Sequence, residues 1–127
     1  MSEQALKIAE AWQKAVNDKD IKKLLALSHG EIEMAGPKGS AFGHGILVEW
    51  IGKAGLSLQT RARYVKDDIV VLEQDGVWTD GDGNVTGEAN VSTVMKVEDG
   101  KVKYVSRYDN DLDKALTHAG LSRKDQI

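Results

Sequence analysis

The chain has no cysteine among its 127 residues. That excludes disulfides, thiolate metal centres and cysteine nucleophiles, and it fits a reducing cytoplasm. No apolar run approaches the roughly 20 residues that span a bilayer, so a membrane partner is not expected. The N-terminal "MSEQALK" has no basic stretch followed by an apolar one, which argues against a secretion leader and for a cytoplasmic location. Without a leader, the sequons at Asn84 and Asn90 read as chance matches. There is no basic excess either. The net charge is -3, and the 17 Lys and Arg are scattered, with "DIKK" and "RKDQI" reading as solvated faces. Nucleic acid is therefore not an expected partner. No histidine spacing suits a metal, and no cofactor motif appears.

What is present reads as one domain, 1–127. Ala5, Ile8, Ala9, Trp12 and Val16 recur at helical spacing over the first 17 or so residues. "NDKD" ends that helix and caps a second, whose apolar face is Ile21, Leu24 and Leu25 and whose expected stop is Gly30. "EIEM" alternates as a short strand. "AGPKGSAFGHG" holds the single proline and four of the 13 glycines, so it reads as a loop. A third helix is expected from about His44 to Ala54, with Ile46, Leu47, Trp50, Ile51 and Ala54 inward. Four long strands follow, at about Leu56–Lys66, Ile69–Trp78, Val85–Glu98 and Lys101–Asp109, with "EDG" as a tight hairpin turn. Asp111 caps a terminal helix closed by Gly120, and the polar tail after Ser122 reads as loose. Helices first and antiparallel strands after make an α+β domain.

The strand at 101–109 raises the functional question. Alternation places Val102, Tyr104, Ser106 and Tyr108 on one face, and Lys103, Val105, Arg107 and Asp109 on the other. The preceding strand puts Ala89, Val91, Thr93, Met95 and Val97 on its core face, Thr93 being the polar member. On the 56–66 strand the same rule groups Leu58, Thr60, Ala62 and Tyr64, and sends Arg61 and Arg63 the opposite way, to solvent or a partner subunit. "DGDGNVTGE" is no calcium loop: counted from Asp80 the sixth position is Val85, and counted from Asp82 the twelfth is Thr93. It reads as a hairpin loop.

The order "AWQKAVNDKDIKKLLALSHGEIEM", glycine-rich loop, "GHGILVEWI" and "VSTVMKVEDGKVKYVSRYDND" resembles the nuclear transport factor 2-like superfamily, and within it the SnoaL-like group, from about Ala5 to Leu121. The resemblance implies a cone-shaped half-barrel, a strongly bent and mostly antiparallel sheet around three N-terminal helices with a short C-terminal helix. It also implies a central pocket for a small apolar ligand, and a homodimer. Such domains include cyclases, isomerases, dehydratases and non-enzymatic binders, so the fold alone names no chemistry. The ketosteroid isomerase pattern does not carry over. Its tyrosine falls on Trp12, its base in Met34–Ala35–Gly36, and its protonated acid near Val91 or Thr93. The SnoaL-like acid–base aspartate aligns with Asp109.

The resulting candidates are these. Asp109 is either a pocket acid or base, or an exposed turn residue. Arg107 either holds a ligand oxygen, as Thr93 would, or pairs internally with Asp109 or Glu73. His44, at a helix start, is the second catalytic candidate, through a dyad with Asp109. Trp12, Met34, Trp50, Tyr64, Met95 and Val105 line the apolar part of the implied pocket, and Trp78 lines either the pocket or a dimer interface. The expected function is small-molecule binding, with acid–base catalysis of cyclase, isomerase or dehydratase type as its enzymatic form. Non-catalytic ligand binding or dimerisation is the alternative.

Overall fold

The computed structural model describes residues 2–36, 39–53 and 55–127. In chain order the elements are α1 (Ser2–Asp18), α2 (Ile21–Ala26), β1 (Ser28–Gly36), β2 (Gly39–Phe42), α3 (His44–Lys53), β3 (Leu56–Lys66), β4 (Ile69–Thr79), β5 (Val85–Glu98), β6 (Lys101–Asp109) and α4 (Leu112–Ala119). They form an α+β fold around one sheet in the order β2-β1-β6-β5-β4-β3. Its neighbours are antiparallel except β1 and β6, which are parallel. No helix among the described residues is long and apolar enough to cross a membrane.

The helix punctuation follows side-chain capping. Asp20 accepts from the Lys23 N–H and Asp111 from the Lys114 N–H, each at 3.1 Å, while Gly120 closes α4 in the left-handed region. Asp99 and Gly100, both at positive φ, make the tight turn between β5 and β6.

Several expectations need correction. α2 stops at Ala26 rather than Gly30, because the Leu27 carbonyl accepts from the Val102 N–H at 2.8 Å and draws the chain into parallel pairing. β1 therefore starts at Ser28, and Gly30 lies within it. The glycine-rich loop contains β2, which pairs back on β1 from Glu33↔Phe42 to Gly36↔Gly39. Pro37, in that loop, and Ala54 lie outside the described residues. The tail after Ser122 is anchored: Ser122 and Asp125 cap a 3-10 turn, and the Ile127 N–H donates to the Arg63 carbonyl at 2.9 Å.

Two bulges invert the expected faces. Thr60 pairs with Gln74 but Ala62 with Glu73, so Arg61 is an extra residue on β3. Beyond it the parity flips. Tyr64 turns to the outer face and packs with the α4 cluster, whereas Arg63 turns inward and its Nε donates to Glu10 at 2.9 Å. Arg61 itself pairs on the outer face with Asp75 at 2.7 Å. Likewise Lys96 pairs with Tyr104 and Val97 with Val102, which leaves Lys103 extra on β6. Val102 consequently joins the inner core with Val105, not the Tyr104 face.

The main core lies between the inner sheet face and α1–α3. It contains Ala5, Ala9, Trp12, Val16, Leu24, Leu47, Leu72 and Met95. A second cluster fills the outer face, where Leu112, Ala115, Leu116 and Ala119 of α4 cover Tyr64, Val71 and Val94. β5 is thus buried on both faces through its middle, which its sequence alternation alone did not require.

The start of β3 is wedged against the end of β4. A Cβ on Gly55 would lie 2.0 Å from the Thr79 carbonyl oxygen, whose own N–H donates to the Gly55 carbonyl at 2.8 Å. Backbone cannot yield as a side chain does, so Gly55→Ala is expected to cost about 3 kcal/mol or more. Urea unfolding checks this, and an unchanged midpoint would mean that the strand start shifts freely.

Candidate functional site

α1 sets the geometry of the inner face. On one side, Trp12 Nε1–H donates to Ser28 Oγ of β1 (2.9 Å), whose hydroxyl donates to the Leu24 carbonyl (2.7 Å). On the other side, the Asn17 amide exchanges two 2.8 Å bonds with the backbone of Leu58 in β3, and Lys19 reaches the Leu56 carbonyl at 3.4 Å. At this end the helix keeps to β3, and the inner face of β6 is open. The side chains of Arg107 and Asp109 are 41% and 47% exposed.

The strand register places a polar stripe across this face. Thr60, Gln74, Val91 and Asp109 form one row, and Leu72, Thr93 and Arg107 the next. Their side chains share a face at about 4.5–5.5 Å between directly opposed neighbours. The stripe is hydrogen-bonded. Thr93 Oγ1–H donates to Gln74 Oε1 at 2.6 Å, the Gln74 amide donates to Gln13 Oε1 of α1, and Thr60 Oγ1–H donates to the same oxygen at 3.1 Å. Gln74 is 0% exposed and Thr93 4%. Gln74 and Gln13 were not singled out from the sequence. Gln74 was findable, as a polar residue at an inward parity position beside "VVL". Gln13 was not, because its partner is 61 residues away.

At the open end of the stripe, Arg107 and Asp109 form a two-point ion pair, with Nε to Oδ1 at 2.9 Å and Nη2 to Oδ2 at 3.4 Å. Of the pairings considered for Arg107, the structure has Asp109. Glu73 lies on the other face, where it accepts from Asn90 at 3.3 Å. The Trp78 ring lies under the Arg107 guanidinium at 5.3 Å and close to Gly76, which it covers together with Val91.

The remaining candidates divide by position. Met34 pairs with Val105, and both join Met95 in the inner core. Trp12 and Trp50 stack with centroids 6.0 Å apart. Trp12 is 2% exposed and its one donor is spent on Ser28, so it is a structural anchor; Trp50 is half-buried. Tyr64 lies on the outer face, away from all of these. His44 Nε2 is held by the Ser28 carbonyl at 3.0 Å. Ser28 pairs with Val102, and Asp109 is seven residues further along β6, on the order of 20 Å away. The structure therefore does not bring His44 and Asp109 together as a dyad.

Two open grooves lie elsewhere, and none of the sequence-derived candidates lines either. One, of about 840 Å³, runs between Glu31, Phe42, Ile69, Lys96 and Tyr104; the other, of about 410 Å³, between Lys19, Ile51 and Thr79. In the β4–β5 loop, the Asp80 carboxylate accepts the Asp82 and Asn84 N–H groups, and these backbone bonds hold its pKa below the ordinary value. The loop thus spends its best acidic ligand on its own turn. No group of three acidic or histidine side chains among the described residues is arranged to hold a metal.

Solved structures identify the fold. An NTF2-like protein from Burkholderia xenovorans LB400 is 22% identical with a TM-score of 0.71, covering 94% of this chain and 97% of its own. An LEH-like epoxide hydrolase from M. tuberculosis is 17% identical at 0.72, covering 93% and 92%. A putative polyketide cyclase from Xanthomonas campestris is 18% identical at 0.70, covering 86% and 92%. No protein-family profile and no curated protein sequence matches the chain. The chain has the nuclear transport factor 2-like fold.

Thr93→Val leaves Gln74 Oε1 without its buried donor. In a dry interior this should cost about 1–3 kcal/mol in urea unfolding. A change within about 0.3 kcal/mol would mean that water reaches the stripe.

Proposed function

We propose that this nuclear transport factor 2-like domain binds a small, largely apolar molecule carrying an oxygen function at the open end of its inner sheet face. The observation that carries the reading is the hydrogen-bonded stripe from Thr60 through Gln13 and Gln74 to Thr93, ending beside Arg107. Polar groups buried in a core contribute little to stability beyond apolar residues of the same shape, whereas at a ligand site they orient the guest. Met34 and Trp50, both half-buried, supply the apolar wall, with the buried Met95 and Val105 behind it. Arg107, directly opposite Thr93, supplies the oxygen contact.

Binding without chemistry is favoured by how the two acid–base candidates are engaged. Both Asp109 oxygens meet Arg107, and His44 Nε2 meets a backbone carbonyl. The acid–base reading is favoured by one feature, that Asp109 sits on the inner face beside the oxygen-holding groups. In it, a ligand oxygen takes over the guanidinium and releases Asp109 to move a proton next to a carbonyl. The solved neighbours described as an epoxide hydrolase and a putative polyketide cyclase support a small-molecule role in general.

The neutral probe N-phenyl-1-naphthylamine tests the binding reading. Its fluorescence should rise saturably. Met34→Ala and Trp50→Ala should each weaken binding about five- to tenfold, since each removes roughly 1–1.5 kcal/mol of apolar contact. Tyr64→Phe, on the outer face, should leave it unchanged. A signal that does not saturate, or that both folded inner-face variants retain, counts against the proposal.

A further inference from the structure

The ion pair at the rim assigns different parts to its two members, and resting on the binding reading above, we propose that Arg107 is a carboxylate receptor and Asp109 its positioning residue. A guanidinium carries five N–H donors in a rigid plane. Asp109 takes the side-on pair, Nε–H and one Nη2–H. The end-on fork, one N–H from each Nη, has no protein partner among the described residues, and the side chain is 41% exposed. The guanidinium carbon lies over the Trp78 ring, 5.3 Å from its centroid. Arg107 is therefore held on one edge by Asp109 and sits over an aromatic ring, with the edge that matches a carboxylate left open.

The surroundings narrow the ligand further. Thr93 is opposite Arg107, but its hydroxyl proton is given to Gln74, so it presents an oxygen rather than a second donor. The half-buried Trp78 ring gives the guanidinium an apolar neighbour on the same sheet face. The class that fits is a small monocarboxylic acid with a planar apolar body. As a pair between half-exposed groups alone, Arg107 and Asp109 would add little to stability.

The test is calorimetric titration of the whole chain at pH 7 with 2-naphthoate and with its neutral counterpart 2-naphthamide. Naphthoate should bind about tenfold tighter or better, the gain of two charge-assisted hydrogen bonds. Arg107→Gln should bring the two ligands within about twofold. Arg107→Lys, which keeps the charge and loses the fork, should bring them within about threefold. Asp109→Asn should keep a preference for the carboxylate. Equal binding to the native chain, or a preference that survives both Arg107 variants, overturns the assignment. Naphthamide binding with no advantage for naphthoate overturns it while leaving the binding reading standing. Binding of neither overturns both.

Discussion

The fold depends on one helix touching two strands that a flat sheet would hold apart. β1 and β3 are separated by β6, β5 and β4. At about 4.8 Å per strand, four spacings put them roughly 19 Å apart. A helix with its side chains is only about 10–12 Å across. Yet α1 reaches β1 through Trp12 and β3 through Gln13 and Asn17. The sheet must curl around the helix for both sets of bonds to form, which produces the half-barrel. The same contacts protect an edge strand, because Asn17 and Ile127 satisfy backbone groups of β3 that would otherwise be open to another chain.

The candidate site follows from where that helix stops. Over the deep end of the inner face α1 buries apolar residues, and the core is closed. Toward its C-terminal end it follows β3 and leaves β6 uncovered, so the polar stripe begins fully buried at Gln74 and ends half-exposed at Asp109. This gradient is what a recognition site needs: preorganised groups inside and access at the rim. It also explains why the open grooves are not lined by the candidate residues. They lie where elements meet at the surface, not where the stripe reaches solvent.

Local rules located most elements and the ends of several. Asp20, Asp111 and Gly120 cap helices as their residue types suggest, and strand alternation puts Thr93 with Met95 on a core face and groups Val105 with Arg107 and Asp109, whose inward direction came from the family resemblance. The misassignments of Tyr64, Arg63 and Val102 share one cause. Alternation predicts a face only while the register is unbroken, and one extra residue at Arg61 or Lys103 reverses every face beyond it. β2 was missed because it is four residues long within a glycine-rich stretch, and its pairing to β1 alone makes it a strand.

By itself, then, the sequence determined the α+β order, the caps, the tight turns and the placing of an arginine and an aspartate on one strand face, because each of these is decided by neighbours within a few residues. Only the tertiary structure decided which partners those side chains take: Trp12 with Ser28, Gln74 with Gln13, Arg107 with Asp109 and Trp78, and His44 far from all of the rim. The physical reason is that bulges, parallel pairing and the curl of the sheet are set by packing between segments distant in the chain, and no local pattern encodes them.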